Sequence, residues 1–258
     1  MDGLGRESQS GGKDLVVRRP GAPISEVVVV IPARDEDALI QGCLDALALA
    51  AQDLRSQAPG VRLHTVVVLD SCTDATAELV AASPGVIAVS ADFSNVGASR
   101  ALGVLTGLSR VEAGVGSVWI ANTDADSGVP VNWLTTQLAA SASGVDVLLG
   151  SVQPNLVELT NHEVCAWHAL HPGGPSVGTV HGTNLGVRAS TYLEIGGFAS
   201  LSQHEDVDLV SRLRAHGAQI HETGEIPVRT SARKTGRTPG GYAGWVRDLV
   251  SADYADSS

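Results

Sequence analysis

Val118-Trp119-Ile120-Ala121-Asn122-Thr123-Asp124-Ala125-Asp126 is a short apolar run that ends on two carboxylates one residue apart. Gly116 precedes it and Ser127-Gly128 follow, so it reads as a buried strand with turn signals on either side. Asp124 and Asp126 then stand just past the strand's carboxyl end, the edge at which open α/β sheets bind ligands. Alternate side chains of extended backbone share a face, so the two carboxylates point the same way. Placed that close they repel unless a cation lies between them. A hard divalent ion, Mn2+ or Mg2+, that also holds a diphosphate meets that need. Taken alone, the tripeptide is more often an acidic turn with solvated side chains. What lifts it is the series of elements around it.

Upstream, Glu26-Val27-Val28-Val29-Val30-Ile31-Pro32 is continuous in β-branched residues, as a strand buried on both faces is. Asp35-Glu36-Asp37 place negative charge where a helix begins, and that helix runs to about Gln57 with Leu39, Ile40, Cys43, Leu44 and Leu47 on one face. Val66-Val67-Val68-Leu69 is a second strand, followed by a capping run, Asp70-Ser71-Cys72-Thr73-Asp74. Val86-Ile87-Ala88-Val89 is a third, and Asn95-Val96-Gly97 begins a helix from Ala98 to about Ala113. Downstream, Pro130 opens another helix and Asp146-Val147-Leu148-Leu149-Gly150 is a fifth strand. This alternation predicts an α/β fold, a Rossmann-like, mostly parallel sheet with helices on both faces. Right-handed crossovers then gather Arg34, Asp35, Asp70, Asp74, Asn95, Asp124 and Asp126 on one rim.

The second half is less regular. Residues 157–170 read as helical, His171-Pro172-Gly173-Gly174-Pro175 as a break, and Thr183-Asn184-Leu185-Gly186-Val187-Arg188 as a strand. Gly196-Gly197-Phe198 is a turn, and Glu205 opens a helix that Gly217 ends. Ile226-Pro227-Val228-Arg229 reads as a short edge strand, with a basic loop and a last helix over residues 242–250 after it. The expected organisation is a leader over residues 1–23, one domain over 24–252 and a frayed tail over 253–258. Within the domain, the expectation is a nucleotide-binding half over residues 24–126 and an acceptor-side, catalytic half over residues 127–252, with a smaller acceptor-side subregion.

Composition narrows the function. A net charge of −11 is not the basic footprint of a nucleic-acid binder. Cys43, Cys72 and Cys165 are odd in number and lack metal-ligand spacing, which suits a reduced, cytoplasmic compartment. No apolar run is long enough for a transmembrane segment.

The order of these signals resembles a family 2 glycosyltransferase with the GT-A fold. The matching pieces are Ile31-Pro32-Ala33-Arg34-Asp35-Glu36, Asp70-Ser71-Cys72-Thr73-Asp74, Asn95-Val96-Gly97 with Arg100, and Asp124-Ala125-Asp126. Gly182-Thr183-Asn184, Gly196-Gly197-Phe198 and Glu205-Asp206-Val207-Asp208-Leu209 with Arg212 and Gly217 complete the series. The resemblance implies a hexosyltransferase that moves a sugar from a nucleoside diphosphate sugar donor to a hydroxyl acceptor, small or lipid-linked, with Mn2+ or Mg2+ as cofactor. A homodimer is compatible with it. Asp126 would hold the metal with Asp124, and Asp206, beside Glu205, would be the general base of an inverting transfer. Pro32, Ala33, Arg34, Glu36, Asp70, Asp74, Asn95, Gly97, Arg100, Thr123, Asp124 and Ala125 occupy nucleotide-binding positions. Asp35 shares its motif. His221 is a candidate third metal ligand, and His181, Gly182, Thr183, Asn184 and His204 are candidates for the acceptor side. Arg233, Lys234 and Arg237 suit a basic lid over the diphosphate.

Departures from the pattern leave the nucleotide base open: Leu69 stands where many relatives carry the first Asp after strand two, and Asp35-Glu36 replaces their Asn-Glu. Three rivals also stay open. A retaining transferase would keep the same nucleotide half. A nucleotidyltransferase would carry a Gly-rich loop after strand one, where Pro32-Ala33-Arg34-Asp35-Glu36 has no glycine. A non-catalytic sugar-nucleotide-binding module would bind without turnover.

Overall fold

The computed structural model describes residues 21–233. The basic positions Lys234 and Arg237, the helix expected over 242–250 and the tail lie outside the described residues. In chain order the elements are β1 (Glu26–Ala33), α1 (Ile40–Gln57), β2 (Arg62–Asp70), α2 (Thr76–Ala81), β3 (Val86–Ala91), α3 (Val96–Leu108), β4 (Val118–Asn122) and β5 (Ser127–Gly128). Then come α4 (Trp133–Ala142), β6 (Val147–Pro154), α5 (Asn161–Leu170), β7 (Leu185–Arg188), α6 (Ala189–Glu194), α7 (Glu205–His216) and β8 (Ile220–Thr230). They form one sheet in the order β3-β2-β1-β4-β7-β6-β8-β5. The pairs β3-β2-β1-β4 are all parallel, as the alternation of strands and helices predicts.

β1 lies inside this sheet and is buried on both faces, which explains its unbroken β-branched run. Val27, Val29, Ile31 and Ala33 join one core with Ile40, Cys43, Leu44 and Leu47 of α1. Val28 and Val30 face the opposite core, with Val104 of α3 and Leu209, Val210 and Leu213 of α7. α3 comes close to β1 because it has no side chain to hold it off. A Cβ on Gly107 would stand 2.1 Å from a methyl of Val28, and one on Gly103 would stand 2.4 Å from a methyl of Val30.

The second half departs from the expected order. β7 runs antiparallel between β4 and β6, while β6 and β8 are parallel to each other. β8 is longer than its four-residue apolar signature, because Thr223 and residues near it pair with Gly150 before an irregularity restores pairing at Val228. Pro227 falls inside that irregularity, so its missing N–H breaks no ladder bond, and the edge position expected from it is replaced by a bulge. α1 starts at Ile40, not at the acidic run. Residues 36–39 form a turn in which Ile40 N donates to the Glu36 carbonyl.

At the amino-terminal end of the strands, away from the carboxyl rim, Glu26 is buried under Arg62, His64 and the backbone N–H groups of Glu112 and Ala113. Burial alone would raise its pKa. Those hydrogen bonds outweigh burial and hold it down to about 2. Its contribution to stability is therefore complete above the ordinary value of 4.5 and is lost as pH falls from there to about 2. Arg62 is half exposed, so the net effect is screened. Glu26→Gln is expected to cost about 1–2 kcal/mol at neutral pH. Thermal melts of the variant and parent should converge as the pH is lowered through that window; a constant gap would show that the bonds do not depend on the charge.

Candidate active site

The acidic tripeptide sits at the sheet's carboxyl rim, where β4 has just ended and the chain turns into β5 through a Ser127 N to Asp124 carbonyl bond of 3.1 Å. Asp126 Oδ1 accepts from Ser127 Oγ at 3.0 Å and from Thr230 Oγ1 at 3.2 Å. Thr183 Oγ1 in turn donates to Ser127 Oγ at 3.0 Å, so three hydroxyls from three parts of the chain back one carboxylate. The other oxygen, Oδ2, faces Arg233 Nη2 at 2.9 Å. Burial first, and then repulsion from Asp124, push the Asp126 carboxyl up to about 6. Cys43, whose Sγ donates to the Asp124 carbonyl, is fully sequestered, and burial drives its thiol far above the ordinary range.

Arg100 joins this rim to the second half. It is almost wholly buried in α3, and its Nη2 donates to Asp124 Oδ1 at 2.6 Å while its Nε donates to Glu205 Oε1 at 3.1 Å. Glu205 is buried too, and desolvation raises its pKa against the pull of Arg100. The next residue, Asp206, opens α7 with a more accessible carboxylate. Its Oδ2 accepts from Gly182 N at 2.6 Å and its Oδ1 from its neighbour Val207 N at 2.8 Å. A Cβ on Gly182 would meet the Arg100 guanidinium at 2.6 Å, so glycine is what lets this backbone N–H reach Asp206. His181 lies within the fields of both Asp206 and Asp124, yet its burial dominates and lowers its pKa, keeping the ring neutral.

The rim is also where the backbone is least relaxed. Among the described residues, Asp35, Ser71, Ser94 and His204 are the non-glycines with positive φ, between 48° and 60°. The first three follow β1, β2 and β3, and His204 caps α7. Left-handed non-glycine residues cost free energy, and they cluster where a surrounding constellation holds them.

Several residues expected to contact ligand are occupied within the protein. Asp70 accepts from Phe93 N, Ser94 N, Asn95 N and Ser99 Oγ, which organises the loop after β3 and lowers its pKa despite burial. Asp74 accepts from Thr76 N at the start of α2, and Asp35 accepts from Thr73 N. Asn95 caps α3 through Ala98 N, and a Cβ on Gly97 would strike the Ala199 carbonyl at 2.2 Å. Asn184, a candidate for the acceptor side, is an interior tie that bonds Trp133 Nε1 and the carbonyls of Ser151 and Ile226. Arg100, expected at a nucleotide-binding position, is buried and held by Asp124 and Glu205. Ala125 is core, and Pro32 and Ala33 lie within β1. Thr123 is buried, and its hydroxyl has no hydrogen-bond partner among the described residues. Arg34 and His204 are exposed at the rim.

His221 is not brought to the tripeptide. It pairs with Leu148 near the start of β8, whereas Thr230 at the other end of the strand is the residue that touches Asp126. At strand rise that separation is roughly 20 Å or more. The apolar pattern of residues 226–229 alone concealed it, because the strand begins six residues earlier. Conversely, the sequence reading missed Ser127, Thr230 and Glu158. Glu158 accepts from Ala232 N and Ser231 Oγ and so anchors the segment that carries Arg233.

The donor set suits a hard ion in part. Asp124 and Asp126 supply oxygen only, and Asp126 carries a desolvated charge that a cation would relieve. Among the described residues no three His, Cys, Asp or Glu side chains converge as a ligand set, so the remaining positions would fall to ligand and water oxygens, which Mg2+ and Mn2+ accept.

No family model matches the chain, and no curated protein matches its sequence. Solved structures do match in fold. S. aureus TarS 1-349 in complex with UDP-GlcNAc aligns with a TM-score of 0.59 at 14% identity, over 89% of this chain and 66% of that one. The mannosyltransferase PcManGT from Pyrobaculum calidifontis, in complex with GDP-Man and Mn2+, aligns at 0.56 and 16% identity over 93% and 79%. Glucosyl-3-phosphoglycerate synthase from Mycobacterium tuberculosis, with Mn2+, UDP and glucosyl-3-phosphoglycerate, aligns at 0.52 and 17% identity over 89% and 78%. The chain spans 61% and 66% of the length of two TarS 1-349 structures. At these identities the likeness establishes the fold, the GT-A fold of these transferases.

Proposed function

We propose that this chain is a metal-dependent glycosyltransferase that moves a sugar from a nucleoside diphosphate sugar to the hydroxyl of a discrete acceptor, within one domain over residues 24–252. The observation that carries the reading is the buried Arg100 bridge, which ties the Asp124 carboxylate to the Glu205-Asp206 start of α7. A donor-side acid pair and a separate carboxylate for the incoming hydroxyl thus belong to one connected constellation, as transfer between two substrates requires. Among the described residues no helix is long and apolar enough to cross a membrane. A cytoplasmic enzyme is the reading that fits the three unpaired cysteines.

In this reading Asp126 and Asp124 would hold Mn2+ or Mg2+, and the ion would neutralise the charge that develops on the leaving diphosphate. The hydroxyls of Ser127 and Thr230 fix the Asp126 carboxylate so that Oδ2 faces outward. Asp206, held by two backbone N–H groups, keeps lone pairs with which to accept the proton of the acceptor hydroxyl as it attacks the anomeric carbon. This assignment predicts inversion at the anomeric carbon. Retention, read from the product by NMR, would remove Asp206 from the base role.

The donor half is tested first. With Mn2+ present, the matching UDP-, GDP- or dTDP-sugar at about a hundred times its Kd should raise the melting temperature by about 5–10 °C. Without metal the rise should vanish. If no nucleotide sugar shifts the melt with metal present, the donor-site reading fails.

A further inference from the structure

Arg233 sits where a cation is wanted. Its Nη1 and Nη2 grip the two oxygens of Glu36 at 2.7 and 2.8 Å, and Nη2 also reaches Asp126 Oδ2 at 2.9 Å. This is the fork geometry of a guanidinium on a carboxylate, with a second acid shared at its edge. Asp126 Oδ1 is already committed to Ser127 and Thr230, so Oδ2 is the oxygen available to an ion, and it is the one that Arg233 covers. The arrangement is anchored from both sides. Ser231 N donates to the Asp126 carbonyl, Glu158 holds Ala232 N, and Glu36 N donates to Thr76 Oγ1 at 2.7 Å. Arg233 and Glu36 are 197 residues apart in the chain, and their side chains are 29% and 8% exposed, so the pair is a tertiary contact in a largely dry setting rather than a local surface pair.

We infer that Arg233 is a built-in stand-in cation: it occupies Asp126 Oδ2 in the metal-free protein and must leave that oxygen for a divalent ion to bind. Ion entry and the release of Arg233 are then one exchange, which frees a guanidinium beside the incoming diphosphate at the moment the ion arrives. The inference rests on the donor-site reading above. It adds that the chain competes with its own cofactor, and that Glu36 sets how strongly.

The test uses Mn2+ alone, with no nucleotide, and reads free ion by electron paramagnetic resonance. Arg233→Gln and Arg233→Met should each bind Mn2+ about tenfold more tightly than the parent, because the competing state is removed. Arg229→Gln removes an equal charge from the exposed face of β8, the strand that leads to Arg233, and should stay within about twofold of the parent. Unchanged or weaker binding in the Arg233 variants overturns the inference, as does an equal gain in Arg229→Gln, which would show that net charge alone is at work. A separate arm adds UDP or GDP with Mn2+ to the parent. If neither binds, the donor-site reading fails, while the ion-only comparison still decides the exchange.

Discussion

Asp206→Asn is expected to lower turnover about a thousandfold and leave Mn2+-dependent nucleotide binding intact. The carboxylate is at the first turn of α7, where it accepts from the Gly182 and Val207 N–H groups. An amide of the same shape can keep an acceptor oxygen on Gly182 N, so the loop is preserved, but it cannot take a proton from an attacking hydroxyl. The substitution therefore separates chemistry from architecture. Turnover would be followed as nucleoside diphosphate release in the presence of acceptor, and donor binding by thermal shift. A loss smaller than about tenfold would remove Asp206 from the base role. A parallel loss of nucleotide binding would show that it supports the donor side instead.

The largest effect on stability is expected from Arg100→Met. The side chain is 2% exposed, and it holds Glu205, itself 7% exposed, together with Asp124. Methionine fills much of the volume but leaves the Glu205 carboxylate buried without its cation, a change that costs about 3 kcal/mol or more. For a domain of this size that is a fall of roughly 6–12 °C in melting temperature. Adding Glu205→Gln should recover part of the loss, because the stranded charge is then gone. If the double variant is no more stable than the single one, the cost lies in packing rather than in the unpaired carboxylate. Asp124 is 35% exposed and can be rehydrated, so it should contribute less than Glu205.

The parallel half of the fold was open to reading because its information is local. Runs such as residues 27–31 and 66–69 specify buried strands by themselves, and Gly217, with its left-handed φ of 83°, ends α7 at the place its sequence marks. The antiparallel β7 and the long β8 were harder. Four buried residues and a strand broken by a bulge have no period long enough to announce direction or length. The same limit applies to the site. Asp124, Asp126 and Asp206 are candidates by type and order. Whether an acid such as Asp70 or Asp74 faces ligand or its own backbone depends on partners elsewhere in the fold, and here both are turned inward. The bond from Glu36 to Arg233 is invisible for the same reason: nothing within either local segment refers to the other.

The reversed direction of β7 has one more result. β6 runs on to Pro154 and β7 begins at Leu185, opposite Leu149, so the excursion over residues 155–184 leaves from one strand and returns to its neighbour. An inserted segment with adjoining ends can be lengthened, shortened or exchanged as a cassette without shifting the register of the strands that bear it. It is tied to the rim near both ends: Glu158 holds Ser231 and Ala232, while Gly182 and Thr183 hold Asp206 and Ser127. The molecule thus keeps its rim carboxylates on a frame of constant geometry while the middle of the overlying segment can diverge, and on the proposed function that is where acceptor choice would be set.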